Sequence, residues 1–247
     1  FWNRYQRFLR DKEKYQPGVI FQLDKLTDEI LDNLYDPALV DITSQRKVLS
    51  LARFNQGKRQ ILQVLFARLL MQDLIGYCFA GILDDLRTQT QSRLEKCFLG
   101  FTTKDIRRIQ DSERIGIGVG LIDNKPIAHA FTTVVSDFKE STVNSLGANF
   151  QTKEPILFVV KKNGRILANL KKWLSKKDLD GKSVLFIDDE ADNASVNTSK
   201  DKNKGFRINN KIREILSLFR RNAYVGYTAT PYANIFIDRT DEKDLFP

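Results

Sequence analysis

The sequence predicts an α/β protein with a mainly parallel sheet and helices on both faces of that sheet. After about residue 115, short apolar runs alternate with segments of helical periodicity. Strands joined by helices of this length imply right-handed crossovers between parallel strands. Hydrophobic residues make up 42% and charged residues 29% of the 247 residues, which is typical of a globular chain with a sizeable core.

An N-terminal helical arm comes first. Within residues 1–40, apolar side chains recur every three or four positions, and Pro17-Gly18 marks a turn between two helical segments. Residues 41–247 are predicted to form a single α/β domain.

The domain is predicted to contain five strands and two helices. The strands are Ile117–Ile122, Phe131–Val135, Pro155–Val160, Ser183–Ile187 and Ala223–Tyr227, and the helices are 164–175 and Lys211–Arg221. The polar stretch Asn193–Lys204 is predicted to be a mobile loop. No internal repeat is found.

Composition excludes several classes of function. No run of eighteen uncharged apolar residues occurs, so no membrane-spanning helix is expected. Two cysteines, Cys78 and Cys97, are too few for a disulfide framework and predict reduced thiols in the cytoplasm. The single histidine, His129, argues against histidine-based metal sites and triads. A net charge of +9 favours a polyanionic partner such as nucleic acid.

The strongest chemical signal is the acidic segment Asp188–Asp192. It directly follows the apolar strand Ser183–Ile187, so its carboxylates emerge at the carboxyl end of an interior strand, where open parallel sheets bind ligands. Nucleotide hydrolysis needs one carboxylate for Mg²⁺ and a neighbouring one to activate water. A solvated acidic turn is the alternative. Four acids within five residues would repel one another there unless a cation is present, which favours a functional site.

A second signal is the segment Tyr227–Asn234, which includes Thr228, Thr230 and Pro231. A strand here delivers two hydroxyls that can hydrogen-bond the acidic segment or a phosphate, and the proline then stops the strand ladder. The alternative is an ordinary strand end followed by a turn.

Four segments together resemble a known family. The residues Asp189–Asp192 followed by Thr228-Ala229-Thr230 resemble the second and third motifs of superfamily-two helicases. From about residue 80 onwards the chain more specifically resembles the Z-one domain family, named as endonucleases and found in bacteria and phages beside restriction-type genes. The segments that carry the resemblance are Leu86–Gln91, Val160–Asn163, Asp188–Asp192 and Tyr227–Asp238.

The resemblance implies a RecA-like fold, here incomplete, that uses ATP and Mg²⁺ and acts on DNA. Asp189, with Asp188 beside it, would bind the metal, and Glu190 would activate water. Thr228 and Thr230 would couple hydrolysis to movement. The nucleic-acid path would pass near four residues of one segment, Arg87, Gln89, Thr90 and Gln91. A second RecA-like domain is expected beyond Pro247, because the chain has the character of a fragment cut from a longer protein.

One part of the family pattern is missing. A P-loop ATPase needs a glycine-rich loop ending in Gly-Lys-Ser/Thr, whose backbone N–H groups hold the phosphates. At the expected place the chain has Gln56-Gly57-Lys58-Arg59, so that Gly57 and Lys58 remain as nucleotide-binding candidates. Arg59 stands where the magnesium-binding hydroxyl should be, and no first glycine precedes Gln56.

A shift of reading frame accounts for this departure. One permitted codon spelling of Asn55–Val64, read from the third base of Asn55, gives Ser-Gly-Lys-Thr-Ala-Asn-Phe-Thr-Gly, and Arg53-Phe54 then allows Val-Gln before it. The absence of acidic residues from Ile42 to Gln72 also sets this stretch apart. We therefore expect 46–78 to be an out-of-frame reading between two compensating shifts. The alternative is a basic amphipathic helix over this stretch.

Two functions follow from these observations. The first is a magnesium-dependent ATPase core of a DNA-acting, restriction-type protein, with this literal chain inactive. The second is a non-catalytic nucleic-acid-binding or interaction remnant that has lost its phosphate loop. A nuclease site within this chain is not supported, because no spaced acid and acid-x-lysine group is convincingly placed on a strand.

Overall fold

The computed structural model describes residues 2–31, 74–80, 83–105, 114–123, 128–145, 150–189, 191 and 202–227. The α-helices are α1 (Trp2–Asp11), α2 (Pro17–Leu31), α3 (Asp84–Leu94), α4 (Glu140–Ser145), α5 (Gly164–Leu174) and α6 (Lys202–Leu216). The strands are β1 (Leu74–Ala80), β2 (His129–Ala130), β3 (Ile156–Lys161), β4 (Ser183–Asp189) and β5 (Arg221–Tyr227). A π-helical turn (Glu95–Leu99) continues α3, and a 3₁₀ turn spans Gly118–Leu121. Within these ranges, no helix combines the length and the apolar character needed to cross a membrane.

The five strands form one sheet in the order β2-β3-β1-β4-β5, and every pairing between neighbours is parallel. The prediction of an α/β protein with parallel strands is therefore confirmed. The central position of β1 was not predicted from the sequence, because 46–78 was assigned to a shifted reading frame. Residues 46–73 of that segment, which include Gly57 and Lys58, lie outside the described ranges.

Residues alternate between two apolar clusters, one on each face of the sheet. On one face, called the arm face here, Leu157, Leu185 and Val225 pack with α1, α2 and the π-helical turn. On the opposite face, called the α5–α6 face, Phe158 and Phe186 pack against the two helices that give it its name. Both faces are therefore covered, as expected for parallel strands that are buried on both sides.

The N-terminal arm is helical as predicted, and it packs directly on the arm face. Tyr5, Phe8 and Leu9 are buried in that cluster. The Arg4 guanidinium donates to the Val119 carbonyl at 3.1 Å and lies 3.0 Å from the Asp123 carboxylate. Pro17 begins α2, a position that proline tolerates because the first helical N–H has no partner within the helix.

Two predicted strands are wrong. Residues 118–121 of the predicted strand Ile117–Ile122 form a 3₁₀ turn, and Gly118 has φ of +55°, outside the range of a strand. A Cβ atom at Gly118 would collide with the Lys96 carbonyl, so this backbone is held by close approach to the π-helical turn. The predicted strand Phe131–Val135 is displaced: β2 ends at Ala130, and the Val159 amide then donates to the Thr132 hydroxyl at 2.8 Å. The Thr132 hydroxyl therefore accepts the hydrogen bond that a backbone carbonyl would accept if the strand continued.

The remaining predictions agree more closely. Strands β3, β4 and β5 and helix α5 lie where the sequence predicts them. Helix α6 is displaced, since it begins at Lys202 and ends at Leu216 instead of spanning Lys211–Arg221. The end of the predicted loop Asn193–Lys204 is therefore helical, and residues 193–201 lie outside the described ranges.

Candidate active site at the carboxyl edge of the sheet

The carboxyl ends of four strands meet at one edge. Ala80 at the end of β1 pairs with Lys161 of β3, and Phe79 pairs with Asp188 of β4. Asp189 at the end of β4 pairs in turn with Tyr227 at the end of β5. The acidic segment and the threonine-containing segment therefore begin side by side.

The helices that follow two adjacent strands pack on opposite faces. The turn that continues α3, which follows β1, packs on the arm face, whereas α6, which follows β4, packs on the opposite face. Open parallel sheets bind ligands in a crevice at the carboxyl ends of two strands that are connected in this way. The expected position of such a crevice is between β1 and β4, next to Asp189.

Strand β4 presents its two last carboxylates differently. Asp188 is fully buried, and Asp189 is partly exposed. Because side chains alternate along a strand, Asp188 shares a face with Phe186, whereas Asp189 shares the arm face with Ile187. Only Asp189 is thus placed for contact with a ligand in the crevice.

A buried polar bridge crosses the sheet beneath this edge. The Lys162 ammonium, which follows β3, lies 2.8 Å from the Asp188 carboxylate, and both side chains are 0% exposed. The Tyr224 hydroxyl of β5 donates to the other Asp188 oxygen at 2.6 Å. Removing a carboxylate and an ammonium from water is costly unless they are paired and hydrogen-bonded, so these three groups depend on one another. The bridge ties the end of β3 to β4 and β5.

This bridge corrects the expectation that Asp188 ligates a metal. Each of its oxygens already faces a buried partner, and no water-accessible approach remains for a hydrated Mg²⁺. Asp189 is the metal-ligand candidate that remains. Sequence reasoning gave Lys162 and Tyr224 no role, because nothing in local spacing shows that their strands lie on either side of Asp188.

The neighbouring residues of the Val160–Asn163 segment are also committed to the fold. The Lys161 ammonium lies 2.6 Å from Asp84, at the start of α3, and its hydrogen bond lowers the pKa of that carboxyl. The Lys161 amide donates to Asp137, whose own pKa is raised because burial disfavours the charged form. The Asn163 side chain caps α5 by accepting from the amide of Arg165 at 2.9 Å.

The residues predicted to lie near the nucleic-acid path are mostly internal. Arg87 is buried and donates to the carbonyls of Thr133 and Val134 at 2.9 and 2.8 Å. Thr90 and Gln91 are also buried, and only Gln89 of the four predicted residues is exposed. The guanidinium of Arg87 is occupied with the segment after β2, so its contribution here is to position that segment.

A buried hydrogen-bond network surrounds Glu95. Its carboxylate accepts from the Gln91 amide at 3.2 Å and also from the Thr103 hydroxyl. The Gln91 carbonyl oxygen in turn accepts from the Thr132 hydroxyl at 2.9 Å. Desolvation raises the pKa of Glu95 despite these hydrogen bonds. Sequence reasoning missed this network, for which the Gln91 and Glu95 spacing of one helical turn was the only available signal.

The remaining predicted site residues lie outside the described ranges. These are Glu190, Thr228 and Thr230, together with Gly57 and Lys58. The described residues adjoining them are Asp189 and Ala191 on one strand and Tyr227 on the other, and Ala191 is fully buried on the α5–α6 face. Among the described residues, no group of three His, Cys, Asp or Glu side chains could hold a metal ion.

Comparisons with known proteins add no relative. No family model, curated protein or solved structure matches this chain.

Proposed function

We propose that this chain is the magnesium-dependent ATPase core of a helicase-like, RecA-type protein that acts on DNA and belongs to a restriction-type endonuclease system. The observation that supports the proposal is the register of β4 and β5, in which Asp189 and Tyr227 are paired neighbours. Glu190 and Thr228 are the next residues in the sequence after the two strands. Acids and hydroxyls at adjacent carboxyl ends are what nucleotide hydrolysis requires.

The roles of the residues follow from this arrangement. Asp189 supplies the oxygen ligand that Mg²⁺ prefers, and its partial exposure at the edge fits that role. Bound Mg²⁺ would neutralise the charge that develops on the transferred phosphoryl group. Glu190 orients and deprotonates the attacking water, and Thr228 and Thr230 relay the state of the nucleotide to the rest of the protein. The buried Lys162–Asp188 pair fixes the strand end from below.

The phosphate loop decides whether the protein with the sequence as it stands can hydrolyse ATP. Gly57 and Lys58 retain two residues of such a loop, but Arg59 takes the place of the hydroxyl. We expect no ATP turnover from the literal chain. We expect turnover from the full-length protein, with its second RecA-like domain, once residues 53–63 are replaced by Val-Gln-Ser-Gly-Lys-Thr-Ala-Asn-Phe-Thr-Gly.

Two measurements test the proposal. Sequencing of the underlying DNA tests the frame, since codons that cannot encode Ser-Gly-Lys-Thr in the shifted register would end that explanation. Phosphate release is then compared between the literal and the restored protein, with and without Mg²⁺. The departure at Arg59 favours the second candidate, a non-catalytic nucleic-acid-binding remnant, if the DNA encodes the sequence as it stands.

A further inference from the structure

Two helices and the residues that follow them are strongly basic. Residues 164–177 contain five basic and no acidic side chains, and residues 202–221 contain seven basic and one acidic, which gives the two segments +5 and +6. Their total of +11 exceeds the +9 of the whole chain, so the remaining residues carry a net charge of −2. Residues 42–72, which lie outside the described ranges, carry a further +6, so α5, α6 and the residues that follow them are the most basic part of the chain that the structure describes.

Several of the described basic side chains lie on the outer side of α5 and α6. Helix α5 buries Leu167, Leu170, Trp173 and Leu174 against the sheet. Arg165 and Lys172 are exposed and seven residues apart, which places them on the same side of α5, and the exposed Lys176 follows two residues after the helix ends. These three residues are called the ridge here. At a rise of ~1.5 Å per residue, its two helical members lie roughly 10 Å apart.

Helix α6 extends this surface beside α5. The two helices share one apolar cluster, and Lys171 of α5 lies 2.8 Å from Glu214 of α6. We call the combined surface the basic face. The members whose side chains are described are Arg165, Lys171, Lys172, Lys176, Lys177, Lys211, Arg213 and Arg220. Glu214 is the acidic residue within the two segments, and across them Lys176 lies 3.8 Å from Glu140.

The surface is too imbalanced to be an ordinary solvated helix pair. Exposed protein surfaces usually intersperse charges of both signs, whereas α5 itself carries three basic residues and no acidic one. Such an excess is compensated when a polyanion binds and releases its counterions.

The chemistry of the basic face selects the kind of polyanion. Membrane-surface helices insert exposed Trp, Phe or Leu side chains, yet in α5 and in residues 208–216 of α6, whose side chains are described, no large hydrophobic residue is exposed. Single strands bind through exposed aromatic platforms, and the described aromatic residues of this surface, Trp173 and Phe219, are both 2% exposed. Of these three kinds of polyanion, the surface best fits a duplex, which presents a regular array of phosphates and no exposed bases.

We infer that the basic face binds the phosphate backbone of a DNA duplex, independently of base sequence and away from the carboxyl edge of the sheet. The inference deepens the proposed function by assigning its nucleic-acid partner to a surface, and it rests on that function only for the choice of DNA. The ridge and α6 together follow the backbone, while the crevice at the carboxyl edge stays open to nucleotide.

Salt-dependent binding to a duplex tests the inference. A fluorescein-labelled DNA duplex of mixed sequence is titrated with the whole chain at several salt concentrations, without nucleotide. The test variant combines Arg165→Gln, Lys172→Gln and Lys176→Gln. The matched control combines Lys12→Gln, Lys25→Gln and Lys96→Gln, which are exposed and lie directly after α1, in α2 and in the π-helical turn. Circular dichroism and thermal melting establish that both variants are folded.

The expected result is a loss confined to the test variant. Since each phosphate contact contributes about 0.9 to the slope of log K against log salt, three lost contacts should reduce that slope by roughly 3. The control should change it by less than about 1. If the test variant does not fold, Arg165→Lys with Lys172→Gln tests the same ridge more mildly.

Several outcomes would overturn the inference. These are equal losses in both variants, no binding of the unmodified chain to the duplex, or tighter binding to single-stranded DNA or to anionic phosphatidylserine vesicles of matched charge. The outcome for the ATPase is separate. Hydrolysis without duplex binding rejects the basic face alone, and duplex binding without hydrolysis by the restored protein rejects the ATPase alone.

Discussion

The two faces of the sheet are held by different kinds of contact. On the arm face, buried polar groups run through the packing: Arg87 binds two carbonyls, and the Glu95 carboxylate collects hydrogen bonds from neighbouring segments. On the α5–α6 face, the packing around Trp173 is aromatic, with Phe131, Phe150 and Phe158 at centroid distances of 6.0, 5.3 and 6.1 Å. The buried ion pair of Lys162 and Asp188 lies on this second face, at the functional edge.

Aromatic contacts and buried hydrogen bonds constrain the chain to different degrees. Aromatic packing tolerates small shifts of one ring against another, whereas a buried hydrogen bond fixes a donor and an acceptor to within a few tenths of an ångström. The hydrogen bonds of Arg87 and Thr132 therefore fix the course of the irregular segment that follows β2, whose Phe131 and Phe138 pack on the α5–α6 face. The α5–α6 face leaves most of its helices to hydrophobic packing and fixes only the strand end that leads to Glu190.

The largest effect on stability is expected for the buried Lys162–Asp188 ion pair on the α5–α6 face. Lys162→Met should reduce the free energy of unfolding by about 3–5 kcal/mol, because it leaves the buried Asp188 carboxylate without its countercharge. The double variant Lys162→Met with Asp188→Asn should recover a large part of that loss. Urea unfolding of both variants measures it, and a single variant as stable as the double one would show that the pair is not coupled.

A somewhat smaller effect is expected on the arm face. Arg87→Met leaves two buried carbonyls, those of Thr133 and Val134, without donors, which should cost about 2–4 kcal/mol. Arg93→Met, on the exposed side of the same helix, is the control and should cost less than about 0.5 kcal/mol. Hydrogen exchange should also be faster in the segment after β2 for the Arg87 variant. Equal stabilities of the two variants would contradict the positioning role.

Glu95, which lies in the π-helical turn on the arm face, should make the free energy of unfolding depend on pH. Its pKa is raised in the folded state, so the folded protein holds this proton more tightly than the unfolded chain does. The resulting stability is fully present below the ordinary pKa of 4.5 and is lost as the pH rises through the raised value. Glu95→Gln should flatten this decline in a series of urea melts from pH 4 upward. An unchanged slope in the variant would assign the decline to other groups, of which Asp137 is the first candidate.

The smallest effect is expected at the start of α5. Asn163→Ala removes the side-chain oxygen that accepts from the Arg165 amide, and should cost about 1 kcal/mol. Asn163→Ser, which keeps a capping oxygen, should cost less. Thermal melting of both variants measures this, and a loss shared equally by the two would mean that the side chain stabilises something other than the helix end.

The sequence predicted the parts of the fold that local pattern controls. Strands β3 and β4 are uninterrupted apolar runs, and α5 has a clear buried stripe, so their residues alone indicate their structure. The failures lie where distant contacts decide. The backbone at Gly118 has a positive φ where it lies close to the Lys96 carbonyl. The chain after β2 leaves the sheet because Thr132 and Arg87 form hydrogen bonds with backbone groups there.

The candidate site was predictable only in its order along the chain. Apolar strands ending in acids or threonines indicate which residues reach the carboxyl edge, and the pairing of Asp189 with Tyr227 agrees with that expectation. The sequence could not show that Asp188 turns inward to Lys162, because which of two adjacent acids is buried depends on the strand's register with its neighbours. The burial of Arg87, Thr90 and Gln91 was not anticipated either, because the side of α3 that is buried depends on its contacts with distant segments.

The most direct test of the account is ATP hydrolysis by the full-length protein with its phosphate loop restored, compared with the same protein carrying Glu190→Gln. The account predicts Mg²⁺-dependent hydrolysis, and a fall in kcat of roughly 100-fold or more in the variant, because removing a general base typically costs this much. Nucleotide binding by the variant should be retained. Equal hydrolysis rates for the two proteins, or no hydrolysis by the restored protein with Glu190 intact, would contradict it.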